Sequence, residues 1–193
     1  MVTVTSQINE TELVTRAQGG DRNAFSELVR IHAQGVLNVV YRMCSNVHIA
    51  EDASQETFIQ AWLSLPSYRP GASMRNWLYR IAINTAIDML RKEKRIHPHA
   101  IEDLSLAESG PDPEVIVANS ERAQMIQGAV QALPEASRAV LVLREYEGLS
   151  YQAIAEALDI PVGTVMSRLN YARKLLKERL EVHLFVYAEA ENV

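Results

Sequence analysis

A chain of 193 residues, 48% hydrophobic and 22% charged, can bury one or two small cores and carries too much apolar side chain for general disorder. Eight glycines, seven prolines and 6% aromatics point away from a turn-rich β fold, and one cysteine, Cys44, excludes an internal disulfide or a cysteine-rich zinc site. The formal net charge of −5 argues against a nucleic-acid partner until its distribution is considered: residues 66–95 hold seven Lys/Arg against two acids, residues 163–180 five against one, and residues 96–121 six acids with no Lys or Arg.

Two electropositive segments joined by an acidic strap suit polyanion binding. No apolar run reaches the roughly 18 residues of a membrane span, and the first residues lack a basic segment followed by an apolar one. The expectation is a soluble, cytoplasmic protein without membrane insertion.

Taken in chain order, residues 23–45 place Phe25, Leu28, Val29, Val36, Val39, Val40 and Met43 at spacings of three and four, which predicts a helix. Residues 49–65 predict a second. Its core side carries Ala50, Ala53, Thr57, Phe58, Ala61 and Leu65, and the opposite side Asp52, Gln55, Glu56, Ile59 and Leu63. Acid mixed with exposed aliphatic residues suits docking onto another protein. His48, Asp52 and Glu56 also fall at i, i+4 and i+8. Without a second histidine in an H-E-x-x-H pattern, no metal or other cofactor is expected, and the patch reads as solvated or partner-facing.

Pro66 and Pro70 bracket a loop, and residues 74–95 predict a third helix. Here Tyr68, Trp77 and Tyr79 interleave with Arg69, Arg75, Arg80, Arg91, Lys92, Lys94 and Arg95. Aromatic faces stack on unpaired bases while cations track phosphates, and Asn84 offers an amide for a base edge. Trp77, Leu78, Ile81 and Ala82 serve equally well as core residues.

The segment around Pro98, Pro111 and Pro113 is acidic and aperiodic, and reads as a flexible linker over 96–114. Helical patterns resume at 115–132, 135–147, 150–158 and 163–182. Gly148 and Ser150 mark a helix end and an N-cap, and the turn DIPVG separates a short helix from a longer basic one. This is the layout of a helix-turn-helix, with Val165, Leu169, Ala172 and Leu176 inward and Thr164, Ser167, Arg168, Tyr171, Lys174 and Lys177 outward. A purely structural helical hairpin would share the periodicity but leave the basic excess unused. The expected fold is all-α: two small helical domains, 1–95 and 115–182, joined by a flexible acidic linker, with a tail at 183–193.

The ordered segments GDRNAFSELV, DASQETFIQAW, WLYRIAINTAID followed by RKEKR, LPEASRAVLVLRE and GLSYQAIAEALDIPVGTVMSRLNYAR are similar to bacterial RNA polymerase sigma factors of the extracytoplasmic-function (ECF) group. The resemblance spans about residues 10–180. It implies a non-enzymatic subunit whose partners are core RNA polymerase, promoter DNA and an anti-sigma factor. It carries polymerase binding to Asp52, Gln55 and Glu56, with Ile59 and Leu63 on the same face. It carries capture of a flipped minus-ten base to residues 66–75, Trp77 and Asn84, alongside Tyr68, Arg69, Arg75, Arg80 and Arg91. Minus-thirty-five reading falls to Thr164, Ser167, Arg168 and Arg173, next to Tyr171 and Lys174. Met166 and Tyr171 stand where many relatives carry arginine. A stand-alone dimeric helix-turn-helix regulator is the competing expectation; it accounts for residues 135–180 only. The promoter consensus, the inducing signal and the role of the tail are not encoded in these motifs.

Overall fold

The computed structural model describes residues 9–69, 73–96 and 123–190, with side chains to residue 181. Among them are eight α-helices and no strand: α1 Glu10–Gln18, α2 Arg22–Cys44, α3 Val47–Ser64, α4 Met74–Ile96, α5 at 123–131, α6 Glu135–Leu141, α7 Tyr151–Leu158 and α8 Val162–Ala190. The expected linker beyond Ile96, residues 115–122 of the following helical pattern, and residues 191–193 of the tail lie outside the described residues.

Short polar side chains start the helices by occupying backbone N–H groups that have no partner within the first turn. Asp21 accepts from the amides of Asn23 and Ala24, Asn46 from that of Ile49, and Ser150 from that of Ala153. Ser45 and Asp159 close α2 and α7 in the left-handed region, at φ 53° and 54°.

The first domain is a bundle of α1–α4. Leu28, Val36, Val39, Val40 and Met43 of α2 meet Leu78, Ala82, Ile83 and Ala86 of α4, all buried. Against them α3 turns a face of small residues: Ala50, Ala53 and Ala61, with Thr57 returning its hydroxyl to the Ala53 carbonyl at 2.6 Å. That narrow face lets α3 approach closely, which leaves its other side free. Helix α1 was not anticipated. Its apolar content is only Leu13, Val14 and Ala17, all buried, and its signal is the Asn9 cap with Glu10 and Glu12 in the first turn.

In the second domain the chain from α6 widens into a π turn at Val142–Tyr146, closed by the Glu147 amide on the Val142 carbonyl at 3.3 Å. Leu143, Ile154, Val165, Leu169 and Ala172 build the core beneath the helix-turn-helix. Helix α8 continues past the expected end at 182 to Ala190, with no glycine or proline after Gly163 to stop it.

The two domains pack on each other. Helix α4 lies on α7, and α2 on α6 and the π turn, so that buried residues of both halves join one contiguous core. Arg138 of α6, 5% exposed, donates to the Met43 carbonyl at the end of α2 at 2.7 Å, and to Gln131 and the Leu133 carbonyl in its own domain. A cation there also meets the negative end of the α2 dipole. Arg42 and Ser45 hold the side chain of Gln127 from the other side.

Candidate polymerase and nucleic-acid surfaces

The outward side of α3 is open with both domains in place. Asp52 and Gln55 are exposed and Glu56 is half-buried; Ile59 and Leu63 stand 53% and 67% exposed in the same patch. Two large aliphatic side chains that no part of the described chain covers stand beside carboxylates, a mixed surface of the kind that suits protein docking. Among the described residues no three His, Cys, Asp or Glu side chains gather to hold a metal ion.

Between α3 and α4 runs a shallow groove of about 600 Å³, lined among others by Glu56, Gln60, Ser64, Asn84, Asp88 and Lys92. Asn84 is exposed on it. The aromatic residues lie elsewhere. Tyr68 is 8% exposed, its ring tilted against the half-buried Trp77 at 5.0 Å, so these two rings pack together at the loop and are not open platforms. Arg69 is exposed at the end of the loop's first described part.

Four of the six cations of α4 are engaged. Arg75 donates to the Glu147 carboxylate at 2.9 Å and carbonyl at 3.1 Å, Arg80 reaches Asp159 at 3.2 Å, and Arg91 and Lys94 share Glu135 at 3.2 Å each. All three carboxylates belong to the second domain. The Tyr79 hydroxyl donates to Glu147 in a short hydrogen bond; burial first, then that carboxylate, pushes its pKa up to about 12. The Tyr79 hydroxyl and Glu147 in turn raise the Arg75 guanidinium. Gly35 makes the seat for this cluster: a Cβ there would stand 2.7 Å from the Tyr79 hydroxyl oxygen.

On α8, Tyr171 and Lys174 are well exposed, Ser167 is exposed with its hydroxyl on the Thr164 carbonyl, and Thr164 and Arg168 are half-buried. Arg173 is turned onto Glu145 at 2.6 Å, a pairing that raises its pKa and directs it toward its own domain. Asn170 was not anticipated. It is exposed between Ser167 and Lys174 on the same face, and a polar amide one turn from Ser167 is the signal that marks it. Met166, 48% exposed, flanks that face. Cys44 is buried, and that burial pushes its thiol up to about 12.

An open acidic and aliphatic face on α3, a cationic helix beside a polar groove and an exposed second helix of the helix-turn-helix are the features of a two-domain helical protein suited to nucleic acid and to a protein partner. The Sigma-70 region 2 model matches residues 28–96 and the Sigma-70, region 4 model residues 123–176. The chain is 40% identical over 169 residues to "ECF RNA polymerase sigma factor SigE" of Mycolicibacterium smegmatis, covering 85% of this chain and 65% of that protein. It is 35% identical to "RNA polymerase sigma-H factor" of Pseudomonas aeruginosa and 36% to SigW of Bacillus subtilis, covering 91% and 86% of this chain and 96% and 94% of theirs. Among solved structures it resembles CnrH in complex with the cytosolic domain of CnrY, with TM-score 0.68 at 25% identity over 90% of this chain and 97% of that one. It also resembles RpoE in complex with the anti-sigma factor NepR from Bartonella quintana, with TM-score 0.63 at 25% identity over 82% and 97%. The chain belongs to the ECF group of sigma-70 factors. The competing expectation of a stand-alone helix-turn-helix regulator is set aside by the region 2 match, which it does not predict.

Proposed function

We propose that this chain is a promoter-specificity subunit: it joins core RNA polymerase through the outward face of α3 and directs it to promoter DNA, leaving catalysis to the core enzyme in the cytoplasm. The observation that carries the reading is the order of the two sigma regions along one chain, with an uncovered acidic and aliphatic face in the first and an exposed recognition helix in the second. Asp52, Gln55, Glu56, Ile59 and Leu63 meet polymerase. Asn84 and the α3–α4 groove take a minus-ten base, with Arg69, Arg75, Arg80 and Arg91 on the strand and the Tyr68–Trp77 pair shaping the loop. Thr164, Ser167, Arg168, Tyr171 and Lys174 face the minus-thirty-five groove, with Arg173 braced on Glu145 behind them. The complexes of CnrH with CnrY and of RpoE with NepR support an anti-sigma partner for this chain as well.

The test is run-off transcription by purified core polymerase from the source bacterium on pooled genomic templates, with and without the chain. Discrete new transcript starts sharing two upstream elements are expected. Transcription no different from core polymerase alone, with duplex binding by the free chain, would restore the regulator reading.

A further inference from the structure

Helix α1 lies ahead of residues 28–96, which the Sigma-70 region 2 model matches, and carries none of the polymerase or nucleic-acid surface residues. Its last residue, Gln18, is half-buried and reaches the turn that leaves α3. The side-chain amide nitrogen donates to the Leu65 carbonyl at 3.1 Å and to the Tyr68 carbonyl at 2.8 Å. Carbonyl oxygens only accept, so two of them facing one amide require its nitrogen at that position. Leu65 and Tyr68 bound a single 3₁₀ turn, closed by the Tyr68 N–H on the Leu65 carbonyl at 3.0 Å. One side chain therefore grips that turn at both ends, from 47 and 50 positions away in the chain. The seat of Gln18 is itself tied down. At the corner between α1 and α2, Arg16 pairs with Asp21 at 2.7 Å, and Asp21 caps α2 while donating its own amide to the Arg16 carbonyl at 3.1 Å. Leu13, Val14 and Ala17 anchor the helix in the core. From the other end of α1, the charge of Glu10 adds to burial in raising the pKa of the Tyr68 phenol.

We infer that Gln18 is a positioning residue for minus-ten recognition: it fixes the Leu65–Tyr68 turn and, through it, the Tyr68–Trp77 ring pair and Arg69. The inference rests on the minus-ten role proposed for these residues and the α3–α4 groove. Tyr68 leaves the turn in extended conformation, with its ring against Trp77 of α4 at 5.0 Å. Trp77 stands seven residues before Asn84, two turns away on nearly the same side of α4, so the gripped turn is tied to the helix face that offers the amide. The Tyr68 carbonyl belongs to the planar peptide unit that leads into Arg69, which is exposed. Holding that carbonyl therefore aims the arginine as well. A base-reading site discriminates only when its walls are held to about 0.5 Å by supporting contacts. Without Gln18 the turn keeps its own 3.0 Å hydrogen bond and still forms, but its tilt against α4 is no longer set. Gln18 acts through the turn and does not itself meet DNA.

Two measurements on the full-length chain test it. In the free chain carrying Trp62→Phe, Trp77 is the remaining tryptophan, and its emission reports the contact with Tyr68. Gln18→Met keeps an unbranched side chain of similar length but donates nothing, and is expected to move that emission to longer wavelength. Gln18→Lys supplies donors again and is expected to hold the wild-type emission. In holoenzyme, minus-ten and minus-thirty-five elements are selected together from one random pool. Gln18→Met is expected to lose about fivefold in minus-ten preference, as a misplaced contact does, and to keep the wild-type minus-thirty-five preference. Gln18→Lys is expected to keep both. A chain that is only less stable yields fewer active molecules and shifts neither preference, so the minus-thirty-five element is the internal control. Gln18→Ala repeats both measurements should the methionine variant fold poorly by far-UV circular dichroism. A minus-ten loss in Gln18→Met that Gln18→Lys restores, with the emission following, supports the inference. Unmoved Trp77 emission, unchanged minus-ten preference or an equal loss at both elements overturns it. A wild-type holoenzyme that selects neither element refutes the proposed function and the minus-ten role of Gln18 with it, whereas a wild type and a Gln18→Met chain that select both alike refute the inference alone.

Discussion

Replacing Arg138 by methionine tests the joint between the domains. The guanidinium is nearly fully buried and donates to the Met43 carbonyl at 2.7 Å, the Gln131 amide oxygen at 2.7 Å, the Gln131 carbonyl, and the Leu133 carbonyl at 3.0 Å. Methionine keeps the stem's volume and packing but supplies no donor. Four charge-assisted bonds at about 1.5–3 kcal/mol each would sum to roughly 6–12 kcal/mol if nothing compensated. Compensation is substantial, because burial already opposes the charge and pulls the Arg138 pKa down, and methionine removes that desolvation. The net loss expected is about 3–5 kcal/mol, because neutral acceptors left unpaired in the interior cost about 1–3 kcal/mol each and the relieved desolvation of the charge offsets part of their sum. At about 2–4 °C per kcal/mol for a chain of this length, that lowers the melting temperature by about 10 °C. Urea and thermal unfolding by far-UV circular dichroism measure it. Arg138→Lys should fall between, since one ammonium keeps the charge but lacks the planar fork. A methionine variant within about 1 kcal/mol of wild type would refute the reasoning, because the acceptors would then be satisfied without Arg138.

Asp52→Arg reverses charge on the open face of α3 without touching its buried alanines, so affinity for core polymerase should fall by about 2 kcal/mol or more, read by competition binding, while the unfolding midpoint stays put. His32 has its pKa lowered from 6.5 by burial, with Glu10 at 3.4 Å pulling the other way and Arg75 adding to the lowering. The unfolded state therefore takes up the proton first, so this stabilisation is present above pH 6.5 and is lost as pH falls through the lower folded value; a urea-midpoint profile should drop there, and His32→Gln should flatten it. On the recognition helix, Arg168→Ala should cost about 1–3 kcal/mol at one base position and Asn170→Ala should relax preference at a neighbouring adenine, read by selecting minus-thirty-five elements from a random pool with holoenzyme. Lys174→Ala should instead weaken binding to all sequences and flatten its salt dependence.

What could be read from the chain was what periodicity and capping encode. The inward residues of α2, α3 and α8 follow a helical repeat, and Ser150 with the DIPVG turn announces the helix-turn-helix. Helix α1 escaped because nine residues with only three apolar ones make about two and a half turns, too short a window for the helical period to stand out. The exposure of Ile59 and Leu63 was legible, since an aliphatic pair opposite an alanine face has nothing in its own domain to bury it. Tyr68 and Trp77 were ambiguous for a physical reason: an aromatic residue beside arginines has the same sequence signature whether its ring packs or stacks, and only tertiary contact at 5.0 Å separates the two. The pairing of α4 with Glu135, Glu147 and Asp159 was illegible, because contacts between residues 41 to 79 positions apart leave no local pattern.

Net charge and charge placement then answer different questions. At −5 the chain as a whole repels DNA, yet its basic residues concentrate on α4 and α8, so binding turns on whether those cations are available. When a binding-competent state holds only a fraction of the population, apparent affinity falls by that fraction; a chain with about 1% of its molecules open binds about a hundredfold more weakly than its open form. A partner that favours separation of the domains removes the penalty without making any contact to DNA. The open face of α3 is available to such a partner before the domains part, because Ile59 and Leu63 are uncovered in the packed state. Four cations of α4 are paired with carboxylates of the second domain in the packed chain, a placement that neither the net charge nor the acidic composition of the linker reveals.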